Sequence, residues 1–190
     1  MRPLNIFQVT RVNFDRYAAT LAAMHVQCFA EAPWNEVFHP EAVAQDFEEA
    51  LKVTDSILLV AEDAEGVLGA TLLYPLQDND AVTNLVGETK AMYCQELFVS
   101  KTHQCRGIGG RLFDTATGIA MGLGYNRRVL RTSANHESAN RFYLSRGYRK
   151  VGSMECVSAK LKDGIVAQEA DYRVVLLQDN SPANVSDMRI

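Results

Sequence analysis

Along this chain the spacing of apolar residues changes several times, and each change marks an element. Between residues 14 and 30, Tyr17, Leu21, Met24, Val26 and Phe29 recur at approximately helical spacing, and Ala32-Pro33-Trp34 ends the run. A second helix opens at His39-Pro40-Glu41, with proline at an early position and acid in the first turn, and continues through Leu51. The period then shortens. Residues 56–61 and 67–74 are runs of strand formers on either side of a polar link, which predicts an antiparallel hairpin. Residues 77–90 are polar, carry Asp78-Asn79-Asp80 and Gly87, and read mostly as a loop bordering a substrate site.

The second half alternates strand and helix. A strand spans 92–99; strict alternation would place Met92, Cys94, Glu96 and Phe98 on one face and Tyr93, Gln95, Leu97 and Val99 on the other. A helix over 108–123 puts Leu112, Ala116, Ile119 and Leu123 on one side. Strand 128–132, a short helix 136–146 ended by Gly147, and strands 148–157 and 171–177 follow. The tail, 178–190, is polar, contains Pro182 and is expected to fray.

Composition narrows the class. A chain of 190 residues, 47% hydrophobic and 22% charged, is expected to fold as one domain over 1–190. A net charge of -4 argues against a general nucleic-acid binder and favours cationic acceptors. No apolar run reaches the roughly 20 residues of a bilayer span, and residues 1–10 lack the features of a signal peptide, so a cytoplasmic protein without membrane attachment is expected. The glycosylation triplet Asn184-Val185-Ser186 then has no route to the modifying enzyme. Cys28, Cys94, Cys105 and Cys156 are scattered, with no C-x-x-C pair, so neither a metal site nor a disulfide framework is indicated.

The most informative segment joins the 92–99 strand to the next helix: Gln104-Cys105-Arg106-Gly107-Ile108-Gly109-Gly110-Arg111. The first amides of a helix lack internal partners and sit at the positive end of its dipole, so an anion there is both bonded and electrostatically favoured. Gly107, Gly109 and Gly110 remove side chains that would hold a phosphate away, and Arg106 and Arg111 can add charge-assisted contacts. A Rossmann fingerprint would need glycine in place of Leu112, and a Walker loop would need lysine followed by Ser or Thr. A plain glycine turn is the simpler alternative.

The loop, the Glu96-Leu97-Phe98-Val99 strand end before it, and the spaced set Asn135, Ala139, Phe142, Tyr143, Gly147 and Tyr148 together resemble the GNAT superfamily of acetyltransferases. The similarity covers roughly residues 57–177, and Glu31 to Glu36 also looks like the segment between the first two helices of some bacterial members. The resemblance implies an α/β fold with a central mixed, mostly antiparallel sheet of about six to seven strands, helices on both faces, and a splay beside the strand ending at Val99. It implies acetyl-CoA as acyl donor. The main chain of Leu97, Phe98 and Val99 would pair with the pantetheine arm as if it were an added strand. Gln104, Cys105, Arg106, Gly107, Ile108, Gly109 and Gly110 would hold the pyrophosphate. A homodimer is a further possibility that the family raises.

By the same resemblance Tyr143 is the acid for the departing thiolate, since a phenol of pKa about 10 is protonated at neutral pH; the alternative is a core aromatic beside Phe142. Asn135 or Asn140 would bond the pantetheine amides. Asn135 stands eight residues before Tyr143, one more than usual in the family, and could equally be an N-cap. Glu96 is the candidate base that takes the ammonium proton, unless it is exposed or salt-bridged, and Glu31 and Glu36 could receive the acceptor's positive charge. Trp34 and Phe38 would line an acceptor pocket or pack a helix junction. An acyl-cysteine route through Cys94 or Cys105 ranks below direct transfer, because neither has a histidine recognisably paired with it. His103 and His136 read as solvated. The expected activity is transfer of acetyl to a primary amine of a small molecule, peptide or protein. A catalytically inactive CoA-binding module and a nucleotide binder are the competing readings.

Overall fold

The computed structural model describes residues 3–76, 80–87 and 90–180. Its elements in chain order are β1 (Asn5–Val9), α1 (Asp15–Phe29), α2 (Pro40–Ala50), β2 (Ile57–Asp63), β3 (Gly66–Pro75), α3 (Asp80–Val86) and β4 (Ala91–Val99), then α4 (Ile108–Gly122), β5 (Arg127–Ser133), α5 (Glu137–Leu144), β6 (Arg149–Lys162) and β7 (Ile165–Asp179). A short 3-10 turn, Lys101–His103, leads from β4 to α4.

Seven strands form one sheet in the order β1-β2-β3-β4-β5-β7-β6. Neighbours run antiparallel except β4 and β5, which are parallel. Apolar residues on the two faces of the sheet bury different helices. On one face Leu59, Leu73, Met92, Leu130 and Leu176 meet Leu112, Phe113 and Ala116 of α4, with Tyr143 and Tyr148 beside them. On the other, Leu58, Val60, Leu72 and Phe98 cover Leu21 of α1 and Phe47 of α2. Farther along that second face, Val82 and Val86 of α3 lie on Tyr93, Val129 and Val175. This is the mixed, helix-flanked architecture the sequence led us to expect. Among the described residues no helix is long and apolar enough to cross a membrane.

Two irregularities position the site. β4 and β5 pair only from Ala91↔Arg127 to Cys94↔Leu130, so Gln95–Val99 leaves its β5-side edge open. At the same point β4 carries a bulge: Leu73 faces Cys94 and Leu72 faces Glu96, leaving Gln95 without a partner. A bulge turns the following residues to the opposite face and sharpens the local twist, which helps the strands diverge. Strict alternation therefore fails after Cys94. Leu97 and Val99 join Met92 and Cys94 on the α4 face, and Phe98 packs with α1 and α2.

Other expectations change as well. β1 occupies residues to which no element was assigned, pairing with β2 from Asn5↔Glu62 to Val9↔Leu58. The expected loop contains α3, whose Val82 and Val86, one helical turn apart, are both buried; residues 77–79 and 88–89 of that loop lie outside the described residues. The last two strands form one long hairpin. They turn at Asp163-Gly164, both at positive φ (52° and 78°), between the paired Lys162 and Ile165. β7 reaches Asp179, so the tail starts later than expected, and residues 181–190, including the Asn184 triplet, lie outside the described residues.

Candidate active site

The open edge of β4 and the start of α4 border one cleft. After Val99, Ser100 and Thr102 hydroxyls hold His103 Nδ1 at 2.7 and 2.9 Å, and the Gln104 side-chain amide donates back to the Val99 carbonyl at 3.1 Å. Cys105 (φ 58°) and Gly107 (φ 79°) are left-handed, and Gly107 is the N-cap of α4, with no side-chain cap bond at the helix start. That conformation suits glycine and costs other residues about 1 kcal/mol. A Cβ built on Gly107 would meet nothing, so the space before the α4 amides is open. These uncapped amides, with exposed Arg106 and Arg111 nearby, suit an anion.

A cleft of about 340 Å³ is lined by Leu97, Phe98, Val99, Gln104, Gly109 and Tyr143. Cys105, Arg106 and Gly107 are exposed at the loop, Ile108 is buried in the core and Gly110 lies against Arg146. A larger cleft, about 770 Å³, opens between α1, α2 and the splayed strands, and its walls include His25, Trp34, Phe38, Glu96, Arg131 and Arg173. Trp34 and Phe38, the expected pocket aromatics, both line it. The two clefts share Phe29, Trp34, Leu97, His136, Ala139 and Tyr143.

Tyr143 comes from α5. Its ring is held at 5.4 Å from Phe113 and 5.9 Å from Tyr148, and burial pushes its phenol well above the ordinary tyrosine value, so it keeps its proton at neutral pH. The same burial pushes the Cys94 thiol up to about 12, which disfavours the thiolate that an acyl-cysteine route needs. Neither asparagine lines either cleft. Asn140 donates its side-chain amide to the carbonyls of Ser133 and His136, tying β5 to α5, while Asn135 is exposed, and the N-cap of α5 is His136. His136, read as solvated, is half-buried with its ring 5.4 Å from Trp34, and burial lowers its pKa.

Glu96 lines the larger cleft as a paired carboxylate. His25 Nε2 lies 3.3 Å from one oxygen and Gln95 donates to the other at 3.4 Å. His25 escaped the sequence reading, although Leu21, His25 and Phe29 stand at four-residue steps on the inward side of α1. The two other acids expected to greet a cation are already neutralised: Glu31 pairs with Lys101 at 2.6 Å, and Glu36 is bonded to Arg173. Arg173 also approaches Asp171 at 3.1 Å and lies over the Trp34 ring. Among the described residues no cluster of three or more histidine, cysteine or acidic side chains could hold a metal ion.

The model of the Acetyltransferase (GNAT) family matches residues 21–148, more than half of the chain and the stretch that carries both clefts' shared residues. No curated protein matches in sequence. Among solved structures, the chain is similar to yncA from Salmonella typhimurium with its cofactor acetyl-CoA (TM-score 0.69, 15% identity, 98% of this chain and 99% of that one covered). It is similar to a ribosomal-protein-alanine N-acetyltransferase from Brucella melitensis (TM-score 0.67, 17% identity, 92% and 99% covered). It is also similar to Arabidopsis thaliana NAA60 in complex with a bisubstrate analogue (TM-score 0.67, 16% identity, 93% and 98% covered). At these identities the neighbours speak for the fold, while the family match rests on the sequence: the chain belongs to the GNAT family of acetyltransferases.

Proposed function

We propose that this protein is an N-acetyltransferase that moves the acetyl group of acetyl-CoA directly to a primary amine of a small molecule or peptide. One observation carries the reading: a narrow cleft beside the uncapped start of α4 and a wider, charged cleft beside α1 and α2 meet at Leu97, His136 and Tyr143. Two reactants can therefore enter by separate routes and touch at one phenol. The donor supplies an activated thioester. The α4 amides, opened by Gly107 and Gly109, would hold its pyrophosphate, and the open edge at Leu97, Phe98 and Val99 would pair with its pantetheine arm.

In the wider cleft Glu96 would accept a proton from the acceptor ammonium, directly or through water. The free amine then forms its bond to the carbonyl carbon as the carbon–sulfur bond breaks; Tyr143 would give the departing sulfur its proton, and the second proton shed by the new amide nitrogen would return, through water, to the Tyr143 oxygen. Gln104 and Asn140 have their side chains engaged with the protein's own carbonyls; in this reading they shape the loop and the β5–α5 corner, and Asn135 remains the candidate for a pantetheine contact. We take the protein to act in the cytoplasm as one catalytic domain. The test is thiol release from acetyl-CoA across a panel of amines, with coenzyme A binding followed by calorimetry. Turnover of at least one amine supports the enzyme; binding with no turnover on any amine would support a regulatory CoA-binding module.

A further inference from the structure

The basic side chains in the wider cleft are unequally matched. His25 faces Glu96, and Arg173 is bonded to Glu36 and lies near Asp171. Arg131, from β5, differs from both. Its Nε donates to the Tyr93 hydroxyl at 2.6 Å, and among the described residues its Nη1 has only sulfur for company, 3.8 Å from Cys156 and 4.0 Å from Met154. Among the described residues it forms no ion pair with a carboxylate. A half-buried guanidinium has lost part of its hydration, and sulfur and a phenol return little of it, so an anion is the partner that this position lacks.

Its surroundings show where such an anion would sit. Tyr93 fixes the guanidinium through Nε, which leaves the terminal nitrogens available to a ligand in the cleft that Arg131 lines. From Arg131 a row of side chains leads along the same wall to Glu96. The Tyr93 ring lies 5.7 Å from Tyr74, Tyr74 donates to Gln95 at 3.1 Å, and Gln95 donates to Glu96 at 3.4 Å. The remaining carboxylates of the cleft, Asp46 and Glu49, are exposed on α2, and Glu49 is bonded to Lys52. One wall thus carries a proton acceptor at one end and a guanidinium without a counter-ion at the other.

Building on the transferase reading, we propose that the acceptor is a small zwitterion, an amine that also carries a carboxylate or phosphate, and that Arg131 binds its anionic group while the amine reaches Glu96 and Tyr143. Arg131 is then the residue that sets acceptor class. The bidentate geometry of guanidinium suits both anions, and a single missing charge-assisted contact would be felt as about tenfold or more in selectivity.

The experiment compares paired acceptors that differ only in the anion: amino acids against their amides, and 2-aminoethyl phosphate against 2-aminoethanol. For each pair the ratio of kcat/KM is measured in the wild type, Arg131→Gln and Arg131→Lys, and the same pairs are titrated calorimetrically onto the protein with coenzyme A present. The wild type should favour the anionic member by about tenfold or more, Arg131→Gln should bring the ratio close to one, and Arg131→Lys should keep part of it. Whichever pair shows the larger ratio separates carboxylate from phosphate. A wild-type ratio near one, a preference for neutral or cationic peptides, or a ratio unchanged in Arg131→Gln overturns the proposal. If no amine is turned over, the transferase reading fails, and the calorimetric ratio still decides for or against Arg131. If Arg131→Gln does not fold, an unchanged ratio in both Arg131→Lys and Tyr93→Phe overturns it, and a lowered one supports it.

Discussion

The Nε2 atom of His25, on the first helix, lies 3.3 Å from a carboxylate oxygen of Glu96, on the fourth strand. His25 is only 4% exposed, with Phe29, Phe38, Phe47 and Phe98 around its ring. Among the described residues its Nδ1 is buried with no hydrogen-bond partner, and the one polar contact of the imidazole is to Glu96. The contact works in both directions: it sets a carboxylate against a buried ring nitrogen and restrains the rotamer of the proposed base. His25→Ala should cost about 2–4 kcal/mol of stability by leaving a cavity among the aromatics. It should also lower kcat/KM for the amine while leaving coenzyme A affinity near that of the wild type. Thermal unfolding, steady-state kinetics and CoA titration together check this; an unchanged kcat/KM would show that Glu96 does not depend on the contact.

Tyr143→Phe keeps the ring that packs on Phe113 and Phe142 and removes only the phenol oxygen. If the phenol protonates the leaving sulfur, kcat should fall by about 100-fold or more, with CoA affinity and melting temperature close to the wild type. A variant with full activity would return Tyr143 to the role of a core aromatic.

Gly109 lines the narrow cleft, and a Cβ built on it would stand 3.5 Å from Val99, an ordinary contact. Gly109→Ala should therefore fold normally and bind CoA only slightly more weakly. Gly109→Leu should fill the cleft and weaken CoA binding by about tenfold or more, with little change in stability, because its backbone conformation suits any residue. Gly107→Ala should differ: its φ of 79° makes the added side chain cost about 1 kcal/mol in folding. Calorimetry for CoA and chemical denaturation for stability separate the two effects.

Alkaline stability should depend on Cys94. Burial holds its thiol at about 12, against an ordinary value of 9.0, so the folded protein keeps a proton that the unfolded chain gives up. The folded pKa is the higher one, and the stabilisation is therefore complete below pH 9 and lost as pH rises toward 12. The expected slope from this group is about 1.4 kcal/mol per pH unit across that window. Cys94→Ala should be less stable at neutral pH but should lose less on going from pH 9 to pH 11, measured by denaturant unfolding.

How far the sequence could be read depended on the range of the interactions involved. The glycine turn before α4 and the segment from Asn135 to Tyr148 were legible because each is short and its conformation is set by its own residues. The tip of the long β6–β7 hairpin also has a local signature, Asp163-Gly164, but the residues flanking it are mostly exposed and give little hydrophobic alternation to extend the two strands. By contrast, the faces of β4 could not be read by counting. Alternation is broken at Gln95 by the register with β3, so Glu96 meets α1 instead of the α4 side where Met92 and Cys94 lie.

Residue types and local spacing were enough to establish the strand-turn-helix unit, the amides it exposes and the family to which the chain belongs. Folding decided which charges remain free. Glu36 and Arg173 stand 137 residues apart and neutralise each other, His25 finds Glu96, and Arg131 finds, among the described residues, only a phenol and two sulfur atoms. Coulombic and hydrogen-bond partners are chosen by distance in space, and that distance exists only once the sheet has closed its register and the helices have covered its faces.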